Sequence, residues 1–264
     1  MPAPESNDEK LAQQKAHFDS IAERYGRSRQ HRNHLTLKAL MWEHFLAKLD
    51  VEEGAQVRVL EAMCGFADGK AILEDTLGVS VDYSGFDYSS SVIEQLSAER
   101  PELNVWQQDV STFEATDEYD IVIILGGLHH VPHIAADVVQ RLRNSVKPGG
   151  YFINLEPTHG NPIFQWIRER IYARNTLFDE ETERAFSVAQ LRSMFAEAGF
   201  ESVDTTYPGL LSYVLYYNPD AFGWLNVGSP AWVRALFALE RPFLRTGLAR
   251  ALSFATLALW RRPI

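Results

Sequence analysis

The run Tyr119-Asp-Ile-Val-Ile-Ile-Leu125 constrains the fold more than any other stretch of the sequence. Side chains along a strand alternate between two faces, so an unbroken aliphatic run needs apolar cover on both. Sheets of that kind are parallel and carry crossover helices on each side. Other short apolar runs fit the same scheme. Val57–Ala62 reads as a first strand, Val81–Asp87 as a second, Leu103–Trp106 as a short third, Tyr151–Leu155 as a fifth and Phe200–Tyr207 as a sixth. Helical patterns separate them. Ser91 with Glu94, and Ser187 with Gln190, have capping-box spacing. Lys147-Pro-Gly-Gly150 stops the helix through Val138, Leu142 and Val146. Either Ser212–Tyr217 or Ser253–Trp260 supplies the last strand. The second is preferred, which makes residues 208–252 an insertion.

The expected fold is α/β: a Rossmann-like, doubly wound, seven-stranded sheet with helices on both faces and a helical, aromatic lid insertion before the last strand. Upstream, Leu37, Leu40, Met41, Phe45 and Leu49 recur at helical steps, so residues 11–50 read as N-terminal helices and 1–10 as a disordered tail. Residues 11–264 are expected to form one domain, a size ordinary for this class. Lys and Arg number 25 against 35 Asp and Glu, which excludes a nucleic-acid partner held by bulk electrostatics. The single cysteine, Cys64, excludes an internal disulfide and a multi-cysteine zinc site, and no metal is expected. The polar, acidic start has no secretory pattern, and the longest apolar run near the C-terminus is half a membrane span, so a cytoplasmic protein is expected.

In doubly wound sheets ligands bind beyond the carboxyl ends of the strands. After the first strand comes Glu61-Ala-Met-Cys-Gly-Phe-Ala-Asp-Gly69, where Gly65 and Ala67 are small enough for close approach. After the second comes Asp87, placed to accept from ribose hydroxyls. A dinucleotide and S-adenosylmethionine both fit that much. The turn lacks the full G-x-G-x-x-G and carries Glu61 and Asp68, which would repel a pyrophosphate and suit a cationic cofactor.

Five segments in order strengthen the second choice. Val59–Ala67 resembles the first motif of class I S-adenosylmethionine-dependent methyltransferases, with Met63 and Ala67 in place of two glycines. Gly85-Phe-Asp-Tyr-Ser89 resembles the second motif and Gln108-Asp-Val110 the adenine-contacting segment. Tyr119–Val131 resembles the fourth strand with its loop, and Lys147–Gly150 the turn before the fifth. His17–Tyr25 resembles the N-terminal helix of the small-molecule subgroup. The resemblance implies that Glu61, Gly65 and Ala67 surround the methionine portion, Asp87 binds the ribose, and Asp109 and Val110 recognise adenine. It implies further that Tyr88 packs on the purine, Gly126 lines the floor near the sulfonium and Tyr25 closes over the cofactor.

A hydroxyl acceptor benefits from a general base. The loop Leu128-His-His-Val-Pro-His133 offers His129, the first candidate, and the segment Glu156-Pro-Thr-His-Gly-Asn161 offers His159, the second. Either could equally cap a strand. Residues 205–233 carry one charge, Asp220, and seven aromatics: Tyr207, Tyr213, Tyr216, Tyr217, Phe222, Trp224 and Trp232. That composition reads as a core patch or as a lid over an apolar acceptor. Arg234, Arg241, Arg245, Arg250, Arg261 and Arg262 face a single acid, Glu240, in an otherwise acidic chain, so membrane contact is a minor expectation. The expected activity is methyl transfer from S-adenosyl-L-methionine to a small, fairly apolar metabolite, O-methylation being favoured. An NAD(P)-dependent oxidoreductase and a non-catalytic cofactor-binding module are the competing readings.

Overall fold

The computed structural model describes residues 31–49, 51, 52, 54–163, 165, 166, 170, 185–218 and 223–264. The expected tail over residues 1–10, the helical stretch before residue 31, Tyr25 and Phe222 lie outside them. In chain order the elements that build the fold are α1 (Arg32–Leu46), β1 (Gln56–Ala62), α2 (Asp68–Leu77), β2 (Ser80–Asp87), α3 (Ser90–Glu99), β3 (Asn104–Gln107), β4 (Tyr119–Leu125) and α4 (Ala135–Ser145). They continue with β5 (Val146–His159), β6 (Phe186–Ser187), α5 (Val188–Glu197), β7 (Glu201–Thr206), α6 (Leu211–Tyr216), α7 (Pro230–Glu240), α8 (Gly247–Leu252) and β8 (Ala255–Arg261).

The main sheet runs β3-β2-β1-β4-β5-β8-β7, with the short β6 paired to the end of β5. Strands β1 to β5 are parallel; β8 is antiparallel to both neighbours, β5 and β7. The continuous apolar strand does what its sequence demands. Val122 and Ile124 enter one core with Val138, Val139 and Leu142 of α4 and Leu191 and Phe195 of α5. Ile121 and Ile123 enter the other, with Trp42 and Phe45 of α1, Leu73 of α2 and Leu96 of α3. The last strand is β8, while 211–216 is helical, as its position against α1 requires.

Some local expectations need correction. The helix after β2 is capped by Ser89, whose hydroxyl accepts from Val92 N, and not by a Ser91–Glu94 box; Ser91 instead sits inside the first turn, its hydroxyl 3.0 Å from that of Ser89. The fifth strand starts at Val146, because the Lys147–Gly150 turn is absorbed as a register shift against β4. The capping box of Ser187 and Gln190 is present with both bonds made.

The insertion has a core of its own. Tyr216 of α6, Val233 and Phe237 of α7 and Leu244 pack with Leu37 and Met41 of α1. It leaves the sheet through Gly209, whose carbonyl accepts from Phe254 N. A Cβ at Gly209 would lie 2.2 Å from Ala255 N and 2.5 Å from Phe254 N. Those are backbone atoms at the start of β8 and have nowhere to go. Gly209→Ala should therefore lower stability by about 2 kcal/mol or more, in the range of an overpacked interior site; a urea midpoint equal to wild type would show that this crossing can spread.

Candidate active site

The carboxyl ends of β1, β2, β4 and β5 open at one edge of the sheet. At the end of β1, Met63, Gly65 and Ala67 all have positive φ (53°, 50° and 57°). These are the alternating positions where the resembled motif carries glycine. The backbone thus keeps the glycine-type path although two of the three residues carry side chains, at a cost of about 1–2 kcal/mol each. A Cβ on Gly65 would meet nothing within 4 Å, so the middle of the turn borders open space.

Glu61 holds this path from behind. It is 1% exposed. Its Oε2 accepts from Gly69 N at 2.9 Å and from the Tyr83 hydroxyl at 2.7 Å. Tyr83 lies one strand over on β2 and can lean toward Glu61 because Gly85 has no side chain; a Cβ there would meet the Tyr83 hydroxyl at 2.6 Å. Burial pushes the Glu61 carboxyl up to about 7, against the pull of the Tyr83 and Gly69 bonds. Asp68, the other acid of the turn, is ion-paired with Lys38 of α1 at 2.5 Å. Repulsion by an acidic turn is therefore not what disfavours a pyrophosphate. The stronger reason is that an amide in the first turn of α2, where a pyrophosphate would bind, is already bonded to a protein carboxylate.

Asp87 is the acid that borders the mouth. Oδ2 accepts from Gly65 N and Oδ1 from Ser89 N, each at 3.0 Å, so it ties the first turn to the end of β2. Tyr88 packs against the core cluster that holds Phe86 and Val110. Asp109 Oδ1 accepts from Ser111 N at 2.7 Å, which shapes the loop after β3. Gly65, Asp87 and Ser89 are thus directly bonded, and Tyr88 shares a cluster with Val110 across the neighbouring loop.

On the other side of β4 a second buried carboxylate organises the loop. Glu156 of β5 is fully buried. It accepts from three successive amides, Gly127 N (3.2 Å), Leu128 N (2.9 Å) and His129 N (3.3 Å), and its Oε2 lies 3.0 Å from His129 Nδ1. Burial raises it to about 7 even so. Gly126, with φ of 71°, turns the chain beneath the ring; a Cβ there would lie 3.6 Å from His129 Cε1. The His130 ring lies against His129 at 4.0 Å between centroids. Burial also raises the Asp87 carboxyl from its ordinary value, opposed by the amides of Ser89 and Gly65 and, more weakly, by His130. Gly126, His129 and His130 therefore converge, while strand alternation puts His159 on the opposite face of β5 from Glu156. Sequence reasoning quoted Glu156 but gave it no role. The signal was there: an acid directly following the strand Tyr151–Leu155 must find donors if that strand is buried.

Of the seven insertion aromatics, Tyr207 and Tyr216 are buried, and Trp224 and Trp232 are exposed. Tyr213 and Tyr217 stack at 4.3 Å and, like Leu125, pack against the cluster that contains Cys64 and Ala67.

Strand order, a left-handed turn after β1 and an acid at the end of β2 together have the form of a nucleoside site in a doubly wound sheet. Residues 59–150 match a family described as a methyltransferase domain. Among curated relatives, the demethylmenaquinone methyltransferase of Bacillus velezensis is 26% identical over 177 residues, covering 59% of this chain and 75% of that one. Among solved structures, a chain from the complex between the Haloferax volcanii Trm112 methyltransferase activator and a putative methyltransferase superposes with a TM-score of 0.62 at 20% identity, covering 95% of this chain and 97% of that one. A putative methyltransferase from Bacillus halodurans gives 0.57 at 18% identity, covering 84% and 99%. The family match over residues 59–150 and the methyltransferase relatives support a class I S-adenosylmethionine-dependent methyltransferase. They imply S-adenosylmethionine as the cofactor, which sets aside the oxidoreductase reading.

The raised carboxyls have a thermodynamic consequence. A folded-state value near 7 against an unfolded value of 4.5 means that the contribution of Glu61 to stability is complete below about pH 4.5 and is lost as pH rises through 7. Between those limits each such group costs up to about 1.4 kcal/mol per pH unit. Glu61→Gln should flatten the stability profile between pH 5 and 7 by about that slope, leaving the share of Glu156 in place. Urea titrations at three pH values measure it, and parallel profiles for variant and wild type would refute the assignment.

Proposed function

We propose that the protein transfers the methyl group of S-adenosylmethionine to a hydroxyl oxygen of a small, fairly apolar acceptor, with His129 as the proton-accepting residue. The observation that carries the reading is the bond between His129 Nδ1 and the buried Glu156. An ionised Glu156 favours the tautomer with the proton on Nδ1, which leaves Nε2 as the basic nitrogen. When Nε2 takes the acceptor's hydroxyl proton, the new positive charge lies beside a carboxylate already fixed by three amides. Glu156 is thereby a positioning residue. His159, on the other face of its strand, stands as the second candidate.

The cofactor supplies a methyl carbon activated by a sulfonium. In this proposal Asp87 accepts from the ribose hydroxyls, and Gly65 and Ala67 border the methionine portion with Glu61 holding their backbone. Tyr88, Asp109 and Val110 frame the adenine, and Gly126 lies next to the reacting centre. Tyr25, outside the described residues, keeps its role as a closing side chain in the proposal. The residues present suit this cofactor: the mouth is bordered by a carboxylate and open backbone, and the amide that would meet a pyrophosphate is taken. The chain's remaining tasks are to align donor and acceptor and to keep water out. Tyr213 and Tyr217, packed beside the turn, support the insertion 208–252 as the apolar cover of the acceptor. An apolar acceptor also agrees with the net charge of -10, which does not favour a polyanionic substrate.

A second reading is favoured by the relatives' name, which specifies a demethylated menaquinone as acceptor: transfer to a ring carbon of a hydroxyaromatic compound. The same base serves, since removing the hydroxyl proton also enriches the neighbouring ring carbon. Isotope-labelled methyl donor with a library of phenols and quinols distinguishes the two readings by the chemical shift of the transferred methyl.

Two substitutions test the residue roles. Asp87→Ala should weaken cofactor binding at least tenfold, as expected from losing charge-assisted hydrogen bonds of roughly 1.5–3 kcal/mol; calorimetry showing unchanged affinity would remove it from the ribose site. His129→Ala should lower kcat about 100-fold or more with cofactor affinity unchanged. A loss of only a few-fold would assign His129 to loop structure.

A further inference from the structure

Helix α7 has apolar residues on two sides. Val233 and Phe237 are buried against α1, yet Trp232 and Leu239 are 68% and 72% exposed. At about 100° per residue the exposed arc is ordered. Trp232 and Leu239 share one edge, Ala235 and Ala238 follow, and Arg234 and Arg241 share the far edge. Neither arginine has an ion-pair partner among the described residues. Where the helix ends, an open cleft of about 450 Å³ lies between His44, Ala238, Arg241, Pro242 and Arg245. Lys48 also acts on His44 electrostatically; of the acids beside the cleft, Asp204 is bonded to Arg245 in a two-pronged pair and Glu240 to Ser212. His44 is kept neutral by burial and by the two arginines, and its Nε2 bonds to Arg245 Nη1. The cleft is therefore net cationic in a chain whose formal charge is -10.

We propose that this face of α7 binds the surface of an anionic phospholipid bilayer, with Trp232 and Leu239 in the headgroup boundary and a lipid phosphate in the cleft at Arg241. Three features of the surface agree with that occupant. A tryptophan and aliphatic edge beside an arginine edge is the pattern of an interfacial helix. Tryptophan favours the level of the headgroups. Arginine's planar fork matches a phosphate. No described helix is long and apolar enough to cross a membrane, so the contact is peripheral. Protein partners fit less well, since an apolar stripe graded into unpaired arginines asks for an anionic surface whose interior is apolar. The inference stands on the surface of α7 and is independent of which acceptor atom is methylated.

Flotation of the full chain with vesicles tests it. The protein should float with phosphatidylcholine vesicles containing phosphatidylglycerol and stay behind with phosphatidylcholine alone. Arg241→Glu and Leu239→Ser should each lower the bound fraction at least fivefold while melting at the wild-type temperature, because both side chains are exposed. Equal recovery on the two vesicle types, or wild-type recovery by both correctly folded variants, overturns the proposal. Release by inorganic phosphate at an ionic strength matched with chloride would also overturn it and make the cleft a site for the free anion.

Discussion

A carboxylate withdrawn from water must be surrounded by donors or surrender its charge, and two such groups shape the working edge of this sheet. Glu61 and Glu156 stand at the carboxyl ends of β1 and β5, which flank β4 on either side. Each finds its donors in a loop rather than in solvent. Glu61 takes an amide from the first turn of α2 and a hydroxyl from β2; Glu156 takes three amides and an imidazole from the loop after β4. The loops are therefore set from behind by side chains of the rigid sheet. That permits a turn with two non-glycine residues at positive φ to persist, since the surrounding bonds over-determine it.

The same arrangement separates two kinds of acid at the mouth. Glu61 and Glu156 are inward and structural, whereas Asp87 is half-buried and borders the opening while bonding Gly65 and Ser89. Counting charges along the chain treats them alike. Their surroundings do not, because burial raises all three carboxyls but carries Glu61 and Glu156 to about 7, while Asp87 is the one of the three that is only half-buried.

The strands were legible because their signal is periodic and local. Tyr119–Leu125 was recognised at its observed bounds, since an aliphatic run covered on both faces admits few other readings. Ser187 and Gln190 were legible for the same reason: a cap is decided within four residues. The cap of α3 was missed because Ser89, Ser90 and Ser91 are chemically equivalent in sequence, and only the path of β2 decides which one leads the helix. The pairing of Asp68 with Lys38 lies 30 residues away in the chain and joins two helices, so no local pattern announces it. The partnership of Glu156 with the amides at 127–129 is of that kind too, a contact across neighbouring strands that register alone creates.

The insertion obeys different physics from the rest. Its core, built from Tyr216, Val233, Phe237 and Leu244 on Leu37 and Met41, includes no strand residue. Apolar packing of this sort tolerates exchange of side chains at roughly constant volume, whereas a buried carboxylate tolerates almost none. Sites with no shared partner also vary nearly independently in energy. The packing of the insertion can therefore diverge while the turn after β1 is held. The match to the methyltransferase-domain family, over residues 59–150, falls on the part of the chain where Glu61 and Asp87 fix the backbone. Tyr213 and Tyr217 are where the two regimes meet, stacked on each other and packed both against the insertion's core and against the cluster that includes Cys64 and Ala67. A substitution that reshapes the insertion therefore has to keep these two rings packed on both clusters.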